Sequence, residues 1–293
     1  MESFYFSPSK INLFLKVEGK RDDGFHNLFS CFQSLSLGDV LFFKEASEDK
    51  LVCEKKEVPI NNSNLIIQAI NLFRKYTKIS AFFHVILHKM IFISAGLGGG
   101  SSNAATTLFA LNQLTKANLT HEELSLLGSQ IGSDVSFFFS KGLALCEGRG
   151  DIVTELDSSP LSHLKDFLLI PFQESCSTKL VYEQFIYSDC KNDSLFSREQ
   201  LLAYLYSNRP IFFNNLESST LSLFPQIKVI RKDLEKFFPK ENIFIAGSGA
   251  TLVVWIESIS SNLLNKIFYK YPTSVLVKAV FRSDKNNWFP LSY

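Results

Sequence analysis

Apolar residues in the first half of the chain alternate with other residues at positions 10–17 and again at positions 81–88. This period of two is typical of a strand that buries one face. Three further extended or apolar stretches also predict strands, at residues 29–37, 40–44 and 143–147. A polar, glycine-containing stretch at residues 18–24 predicts a turn after the first strand.

Helical periodicity takes over at three places in the same half. Residues 64–75 carry their apolar side chains on one stripe, and Ser63 or Asn64 can cap the start of this helix. A second helix follows the glycine-rich run at residues 96–102. The third covers residues 120–131, with Thr120 as cap and acidic residues in its first turn, and Gly132-Ser133-Asp134 ends it.

The second half begins after a serine- and proline-rich link at residues 157–160 and again mixes strands with amphipathic helices. Its predicted strands are residues 167–171, 243–246, 251–256 and 274–280, and its predicted helices lie near residues 178–185, 197–205, 227–237 and 260–270. This mixture predicts an α+β protein with two layers per domain. We place the domain boundary in the link, which gives domains at residues 1–156 and 157–293.

Bulk composition narrows the classes of function. Hydrophobic residues make up 46% of the chain and charged residues 20%, the usual balance of a folded soluble protein. The 30 basic and 29 acidic residues leave a net charge of +1, so we expect no nucleic-acid partner. Apolar runs such as residues 137–139 are far shorter than the roughly 20 residues of a membrane span, so we expect no membrane partner either. We expect most of the 29 phenylalanines in the core.

The number and spacing of the cysteines indicate in which cellular compartment the protein is found. They are widely spaced, odd in number and form no C-x-x-C pair, which predicts neither a disulfide framework nor a zinc ribbon. The first residues also lack the basic start and long apolar run of a signal peptide. We therefore expect a cytoplasmic protein. The five cysteines are Cys31, Cys53, Cys146, Cys176 and Cys190.

The glycine-rich run at residues 96–102 has the arrangement of an anion-binding loop. Glycines let the backbone approach phosphates closely and adopt positive φ, and the amides of a helix N-terminus point at the phosphate oxygens. Ser101 and Ser102 add hydroxyl donors, and either suits a magnesium ion. Two familiar loops fit poorly: no lysine follows the glycines as in the Walker pattern, and the dinucleotide pattern started at Gly96 meets Ser101 instead of its last glycine. A glycine-rich turn with a purely structural role is the alternative.

This run resembles the phosphate loop of the galactokinase, homoserine kinase, mevalonate kinase and phosphomevalonate kinase superfamily, P-x-x-x-G-L-[GSA]-S-S-[GA]. Phe92 stands where that pattern has proline, which bears on the rigidity of the loop entrance. The resemblance implies ATP as phosphoryl donor together with Mg²⁺, and it places Asn64 near the adenine. The implied ATP-binding residues are Asn64, Phe92, Ile93, Ser94, Ala95, Gly96, Leu97, Gly98, Gly99, Gly100, Ser101 and Ser102.

Several motifs resemble, in order, one family of that superfamily, the 4-diphosphocytidyl-2-C-methyl-D-erythritol kinases. The matching segments are PSKINLFL, GKRDDGFH, GLGGGSSNAA, LGSQIGSDV, EGRGD, STKLVY, NNLE and GSGAT, which together span nearly the whole chain. The resemblance implies an N-terminal ribosomal S5 domain 2-like domain, a C-terminal ferredoxin-like domain and an active site between them. It also implies ATP-dependent phosphorylation of the 2-hydroxyl of a cytidine diphosphate substrate in non-mevalonate isoprenoid precursor biosynthesis.

The resemblance places the family's catalytic pair at Lys10 and Asp134. Phosphoryl transfer needs an oriented hydroxyl and cations that offset charge on the phosphate oxygens. A carboxylate that accepts the hydroxyl proton contributes roughly 10²–10⁴-fold. A lysine about 4 Å from that carboxylate would favour its charged form by about 4 kcal/mol at an effective dielectric near 20. Taken singly, an aspartate at a helix end and a solvated lysine are ordinary features, but together with the loop they favour catalysis.

The same resemblance implies an acceptor pocket. Phe25 and Tyr182 are suited to sandwich a cytosine ring, and His26 can hydrogen-bond its edge. Phe25 stands where the family commonly has tyrosine, so a hydroxyl contact there would be lost while stacking is kept. The implied substrate-binding residues are Asn12, Phe25, His26, Thr178, Tyr182, Gly247, Ser248 and Gly249.

Two other functions compete with this hypothesis. Another kinase of the superfamily, such as a homoserine or mevalonate kinase, would not need the base-stacking set of Phe25, His26 and Tyr182. A ligand-binding sensor that kept the fold is expected to lose Lys10 or Asp134, and the chain carries both. These patterns do not distinguish a monomer from a homodimer.

Overall fold

The computed structural model describes residues 2–161, 163–172, 176–185, 196–207, 209–284 and 287–290, so Cys190 lies outside the described residues. The strands are β1 Glu2–Lys20, β2 His26–Ala46, β3 Lys50–Cys53, β4 Phe82–His88, β5 Leu143–Gly148, β6 Ile152–Glu155, β7 Asp166–Pro171, β8 Phe213–Asn214, β9 Ile243–Ile245, β10 Thr251–Ile256 and β11 Val275–Lys278. The α-helices are α1 Leu65–Thr77, α2 Gly99–Thr115, α3 His121–Ile131, α4 Thr178–Gln184, α5 Arg198–Leu205, α6 Glu217–Leu223, α7 Pro225–Leu234 and α8 Ser261–Lys270.

The first sheet is built around the antiparallel pair β1 and β2. Its strand order is β3-β4-β2-β1-β8, and β5 with β6 extends from β2. The first part of β2 pairs with β5 and its last part, from Val40 onward, pairs with β4. Between these parts the register with β1 shifts at Pro8 and Ser9, opposite Gly38 and Leu35. The two strands predicted at residues 29–37 and 40–44 are therefore one strand with an irregularity between them.

Helices α1, α2 and α3 share one core with the first sheet, in which Phe43 and Val85 of the strands join Ile66, Ala105 and Leu108 of the helices. The predicted helix starts are confirmed: Asn64 caps α1 by accepting from the Ile66 amide, and Thr120 with Glu123 forms a capping box at α3. Residues 102–112 of α2 are all buried, so this helix lies in the centre of the domain rather than on its surface.

The second sheet is antiparallel, with the order β11-β7-β10-β9. Both of its faces are covered. Phe167 and Trp255 pack into a core shared with the first sheet, whereas Leu168 and Val254 pack against helices of the second half. Strands buried on both faces read as continuous apolar runs, which is why residues 167–171 and 251–256 were readily predicted.

Some elements escape the sequence patterns. The short strands β3 and β6 and the helix α6 were not predicted, and β8 consists of two residues that pair in parallel with Phe14 and Leu15 of β1. A strand this short is defined by its partner and not by local periodicity. Because β8 comes from the second half of the chain, that half contributes to both sheets. The boundary between residues 156 and 157 stays a prediction.

No helix in the described ranges is long and apolar enough to cross a membrane. The prediction that most phenylalanines lie in the core is confirmed, since 16 of the 29 phenylalanines are buried within the part of the chain that the structure describes. Examples are Phe14, Phe32, Phe43, Phe137, Phe138, Phe167 and Phe244.

We expect Phe43→Ala to lower the free energy of unfolding by about 3–5 kcal/mol, because it removes a fully buried ring and leaves a cavity. Phe4→Ala is the matched control at a ring that is 63% exposed, and should cost about 1 kcal/mol or less. Urea denaturation of both variants measures the difference. Equal losses would contradict the core assignment.

Candidate functional site

The glycine-rich run forms the open N-terminus of α2. Gly96 and Gly98 have positive φ of 78° and 69°, and α2 begins at Gly99. Residues 99–102 of the predicted loop are therefore the first turn of the helix. Gly98 is the N-cap residue and no side chain caps the helix. The first amides of α2 thus lack an intrahelical carbonyl partner, and an anion can take that place.

Close backbone approaches explain two of the glycines. A Cβ on Gly96 would lie 2.2 Å from the Ala246 carbonyl oxygen, and one on Gly98 would lie 2.8 Å from Cγ of Lys10. The Lys10 amide also donates to the Leu97 carbonyl at 2.9 Å. The run is therefore wedged between β1 and the turn that follows β9.

The two serines of the run differ in position. Ser101 lines the cavity described below, whereas Ser102 is fully buried and does not line it. The Ser102 hydroxyl accepts a hydrogen bond from Ser7 at 2.8 Å, and its amide donates to the Gly98 carbonyl at 2.9 Å. In this geometry the Ser102 hydroxyl contacts Ser7 of β1, and the expectation that it meets the phosphates stays a prediction.

Lys10 and Asp134 come together from distant parts of the sequence. Lys10 lies on β1 and Asp134 in the turn after α3, and Lys10 Nζ is 3.3 Å from Asp134 Oδ2. Lys10 is only 4% exposed, whereas the Asp134 side chain is 30% exposed and lines the cavity. The turn that carries Asp134 also lies beside the start of α2, since a Cβ on Gly132 would be 3.9 Å from Ser101 Oγ.

The Lys10 ammonium group is held in a fixed position. It donates to Asn12 Oδ1 at 2.8 Å, and Asn12 Nδ2 donates in turn to Ser30 Oγ at 2.9 Å. The ammonium also lies 4.4 Å from the centroid of the Phe32 ring. An amide oxygen, a carboxylate and an aromatic face thus offset the cost of burying this cation.

The turn at residues 247–249 closes the site from the second sheet. Thr178 Oγ1 lies 2.9 Å from Ser248 Oγ, and the Ser248 carbonyl accepts from the Cys176 thiol and from Thr220 Oγ1 at 3.1 Å each. Asn214 Nδ2 donates to the Gly247 carbonyl at 2.8 Å. Burial raises the pKa of the Cys176 thiol to about 11, so this thiol is a protonated donor at neutral pH.

The sequence patterns include Asn214 in the NNLE segment and Cys176 among the widely spaced cysteines, but they assign neither residue a role in the site and do not single out Thr220. Their side chains hold the turn. The available signal for Asn214 was its place in the NNLE segment.

Phe25 and Tyr182, the two rings predicted to sandwich a cytosine, pack against different neighbours in this structure. The His26 ring centroid lies 4.9 Å from that of Tyr182, at an interplanar angle of 31°. Phe25 is 50% exposed, and its ring lies 5.2 Å from the Arg149 guanidinium. His26 therefore packs on Tyr182, whereas Phe25, which follows the turn at Gly24, packs on Arg149.

The ionisable groups of this region respond to burial. Burial is the main cause that raises the pKa of Tyr182, and the charge of Asp134 adds to it. The Tyr182 hydroxyl therefore stays a donor at neutral pH. Burial is the main cause that lowers the pKa of His26, and the positive charge of Lys20 adds to it. Both favour the neutral form of the ring.

One cavity of about 570 Å³ connects these features, within the range of about 300–1,000 Å³ that is usual for small-molecule sites. Most of the predicted site residues line it, but Phe25, His26, Ser102 and Gly249 do not. Asn64 lines it although its side chain already caps α1 and donates to the Pro59 carbonyl at 2.6 Å. The predicted residues in the lining are Lys10, Asn12, Asn64, Phe92, Ile93, Ser94, Ala95, Gly96, Leu97, Gly98, Gly99, Gly100, Ser101, Asp134, Thr178, Tyr182, Gly247 and Ser248.

Comparison with known proteins gives three results. Residues 64–142 match the family model "GHMP kinases N terminal domain". The chain is 42% identical over 247 residues to the 4-diphosphocytidyl-2-C-methyl-D-erythritol kinase of Protochlamydia amoebophila, covering 84% of this chain and 82% of that protein. The crystal structure of a 4-(cytidine 5'-diphospho)-2C-methyl-D-erythritol kinase matches with a TM-score of 0.76 and 26% identity over 96% of this chain and 100% of that one.

A crystal structure of mevalonate kinase also matches, with a TM-score of 0.68 and 14% identity, over 96% of this chain and 100% of that one. At this identity the likeness concerns the fold alone. The α+β prediction, with the two-sheet architecture of this kinase superfamily, is confirmed by these matches.

We expect Gly96→Ala to lower the free energy of unfolding by about 2 kcal/mol or more. The left-handed backbone alone costs about 1–2 kcal/mol, and the new Cβ would overlap a carbonyl oxygen. Gly100→Ala in α2 is the matched control, because its Cβ would lie 3.6 Å from the Leu65 side chain, an ordinary van der Waals contact. We expect this variant to raise the free energy of unfolding by about 0.4–1 kcal/mol. Thermal unfolding compares the two, and a neutral Gly96→Ala would contradict the packing of the loop.

Proposed function

Because this chain belongs to the 4-diphosphocytidyl-2-C-methyl-D-erythritol kinase family, we propose that the cavity between its two sheets is the active site of that reaction. The enzyme transfers the γ-phosphoryl group of ATP to the 2-hydroxyl of 4-diphosphocytidyl-2-C-methyl-D-erythritol, a step of the non-mevalonate route to isoprenoid precursors. The observation that carries the assignment of the site is the contact of Lys10 with Asp134 beside the uncapped N-terminus of α2.

In this proposal the N-terminus of α2 binds the phosphates of ATP. Its free amides and partial positive charge are aimed at the cavity, and Gly99, Gly100 and Ser101 line it. Asn64 also lines the cavity, and its Nδ2 donates to the carbonyl of Pro59, another lining residue; an adenine ring would meet α1 here. Its Oδ1 already accepts one hydrogen bond, from the Ile66 amide, and has a second lone pair for a ligand.

Asp134 and Lys10 prepare the accepting hydroxyl. The more exposed Asp134 carboxylate faces the cavity and accepts the hydroxyl proton as the oxygen bonds to the γ-phosphorus; the bond from the γ-phosphorus to the β-phosphate oxygen breaks, and ADP leaves. The buried Lys10 ammonium orients this carboxylate and stabilises charge on the transferring group. Asn12 keeps the ammonium in place, so the pair is set before substrate binds.

The donor chemistry of the cavity fits an Mg²⁺ ion that arrives with ATP. Among the described residues no group of three or more His, Cys, Asp or Glu could hold a metal by itself. In phosphoryl-transfer sites Mg²⁺ instead uses one or two protein oxygens together with the phosphates and water. The Ser101 hydroxyl supplies such an oxygen in the lining and would hold the ion. When bound, Mg²⁺ supplies charge neutralisation at the phosphate oxygens.

The acceptor is proposed to lie between β1 and the turn at residues 247–249. Tyr182 offers a ring face to the cytosine, and His26, which packs on that ring, offers an edge. Ser248 and Thr178 present hydroxyls on the same side, and the amides of the glycine-containing turn would serve the diphosphate. Phe25 would join this set only by leaving Arg149.

We propose a cytoplasmic location on the basis of the thiols. Cys31, Cys146 and Cys176 are buried free cysteines, as expected in a reducing compartment. Cell fractionation with immunodetection tests this location.

We expect Asp134→Ala to lower kcat by about 10²-fold or more, because the proton acceptor is lost. ATP binding should remain nearly intact. Asp157→Ala removes an exposed carboxylate outside the cavity lining and should keep the wild-type kcat. Coupled ADP release measures turnover, and isothermal titration measures ATP binding. Unchanged turnover of Asp134→Ala would refute its role.

We expect Tyr182→Ala to raise KM for the cytidine acceptor by roughly 5–150-fold, the equivalent of a stacking loss of about 1–3 kcal/mol. Tyr182→Phe keeps the ring face and should stay close to wild type, and KM for ATP should not change in either variant. Assays of the wild type with homoserine and mevalonate in place of the cytidine substrate should show no turnover. Phosphorylation of either compound at a comparable rate would favour another kinase of the superfamily.

A further inference from the structure

Asp39 is a fully buried carboxylate beneath the candidate phosphate site. It follows the irregularity of β2 at Gly38 and is 0% exposed. Its Oδ1 accepts from the amides of Met90 and Ile91, both at 2.8 Å. Its Oδ2 accepts from Lys89 Nζ at 2.7 Å. Asn103 Nδ2 donates to the same oxygen at 3.0 Å.

These four donors come from the two segments that shape the phosphate site. Lys89, Met90 and Ile91 form the connection from β4 to the glycine-rich run, and Asn103 lies in the second turn of α2. Lys89 and Asn103 both line the cavity. A Cβ on Gly99 would lie 3.1 Å from Lys89 Nζ, so this ammonium lies at the first residue of α2.

A buried carboxylate is costly unless its charge and lone pairs are matched, and an apolar side chain would fill a purely structural position at lower cost. Here all four contacts orient parts of one site. The two amide contacts also hold the loop entrance next to Phe92, the position where the superfamily pattern has a rigid proline.

We infer that Asp39 is the positioning residue of the phosphate-binding site: it holds the loop entrance, the Lys89 ammonium and the start of α2 in the geometry that receives the ATP phosphates. This inference rests on the proposed function, because it takes the cavity to be the ATP site. Asp39 itself does not line the cavity and acts through the groups that it holds.

The decisive variant is Asp39→Asn. It keeps an oxygen for the Met90 and Ile91 amides but turns an NH₂ group toward the donors Lys89 and Asn103. We expect kcat/KM for ATP to fall by about 100-fold, as for other misplaced reacting groups, with KM for the cytidine acceptor unchanged. Direct titration of ATP should show weakened binding.

Asp49→Asn is the matched control at the opposite end of β4. Asp49 accepts from the Phe83 amide at 3.0 Å and pairs with Arg74 at 2.7 Å, away from the cavity lining. The same carboxylate-to-amide change should lower thermal stability there but leave kcat/KM for ATP at the wild-type value. Equal effects of the two variants on ATP kinetics, or wild-type ATP kinetics in Asp39→Asn, would overturn the inference.

If Asp39→Asn does not fold, Asn103→Ala decides the question, because it removes one donor to Asp39 and leaves the ion pair with Lys89 in place. We expect a smaller fall in kcat/KM for ATP at unchanged acceptor KM, and no fall would overturn the inference. A wild-type protein that shows no ATP-dependent turnover of the cytidine acceptor would instead refute the proposed function, so the two failures are distinguishable.

Discussion

The close contact of the glycine-rich run with the turn after β9 is the constraint on which the site depends. At Gly96 there is no room for a Cβ, since it would lie 2.2 Å from the Ala246 carbonyl. Next to it, Thr251 Oγ1 donates to the Ala95 carbonyl at 2.9 Å. These contacts fasten the second sheet to the start of α2. The N-terminus of α2, Lys10 on β1 and the turn at residues 247–249 can therefore line one cavity.

Burial of charge is the second organising feature. Lys10 and Lys89 both bring ammonium groups into a largely buried region, and each has a nearby carboxylate, Asp134 or Asp39. The two carboxylates differ in exposure, because Asp39 is fully buried whereas Asp134 is open to the cavity. Exposure thus separates a structural ion pair from one whose carboxylate can meet a ligand.

The sequence predicted those parts of the fold that local patterns determine. Caps such as Asn64 and Thr120 and the doubly buried strands β7 and β10 were read correctly, because capping chemistry and apolar runs are local. The meeting of Lys10 with Asp134 came from the family resemblance and not from spacing, since the two lie on separate elements. Tertiary packing determines the rest. β8 forms through its pairing with β1, the Ser102 hydroxyl accepts a hydrogen bond from Ser7, and the Phe25 ring packs on the Arg149 guanidinium.

The dual attachment of the segment at β8 has a mechanical consequence. Asn214 lies opposite Leu15 on β1 and holds the Gly247 carbonyl, while the Asn215 side chain accepts from the Val17 amide at 2.7 Å. One short stretch of the chain is thus attached both to β1 and to the turn at residues 247–249. A hinge motion that separated the two sheets would have to break these hydrogen bonds. The two sides of the cavity are therefore held at a set separation by one short segment, without any contribution from a ligand.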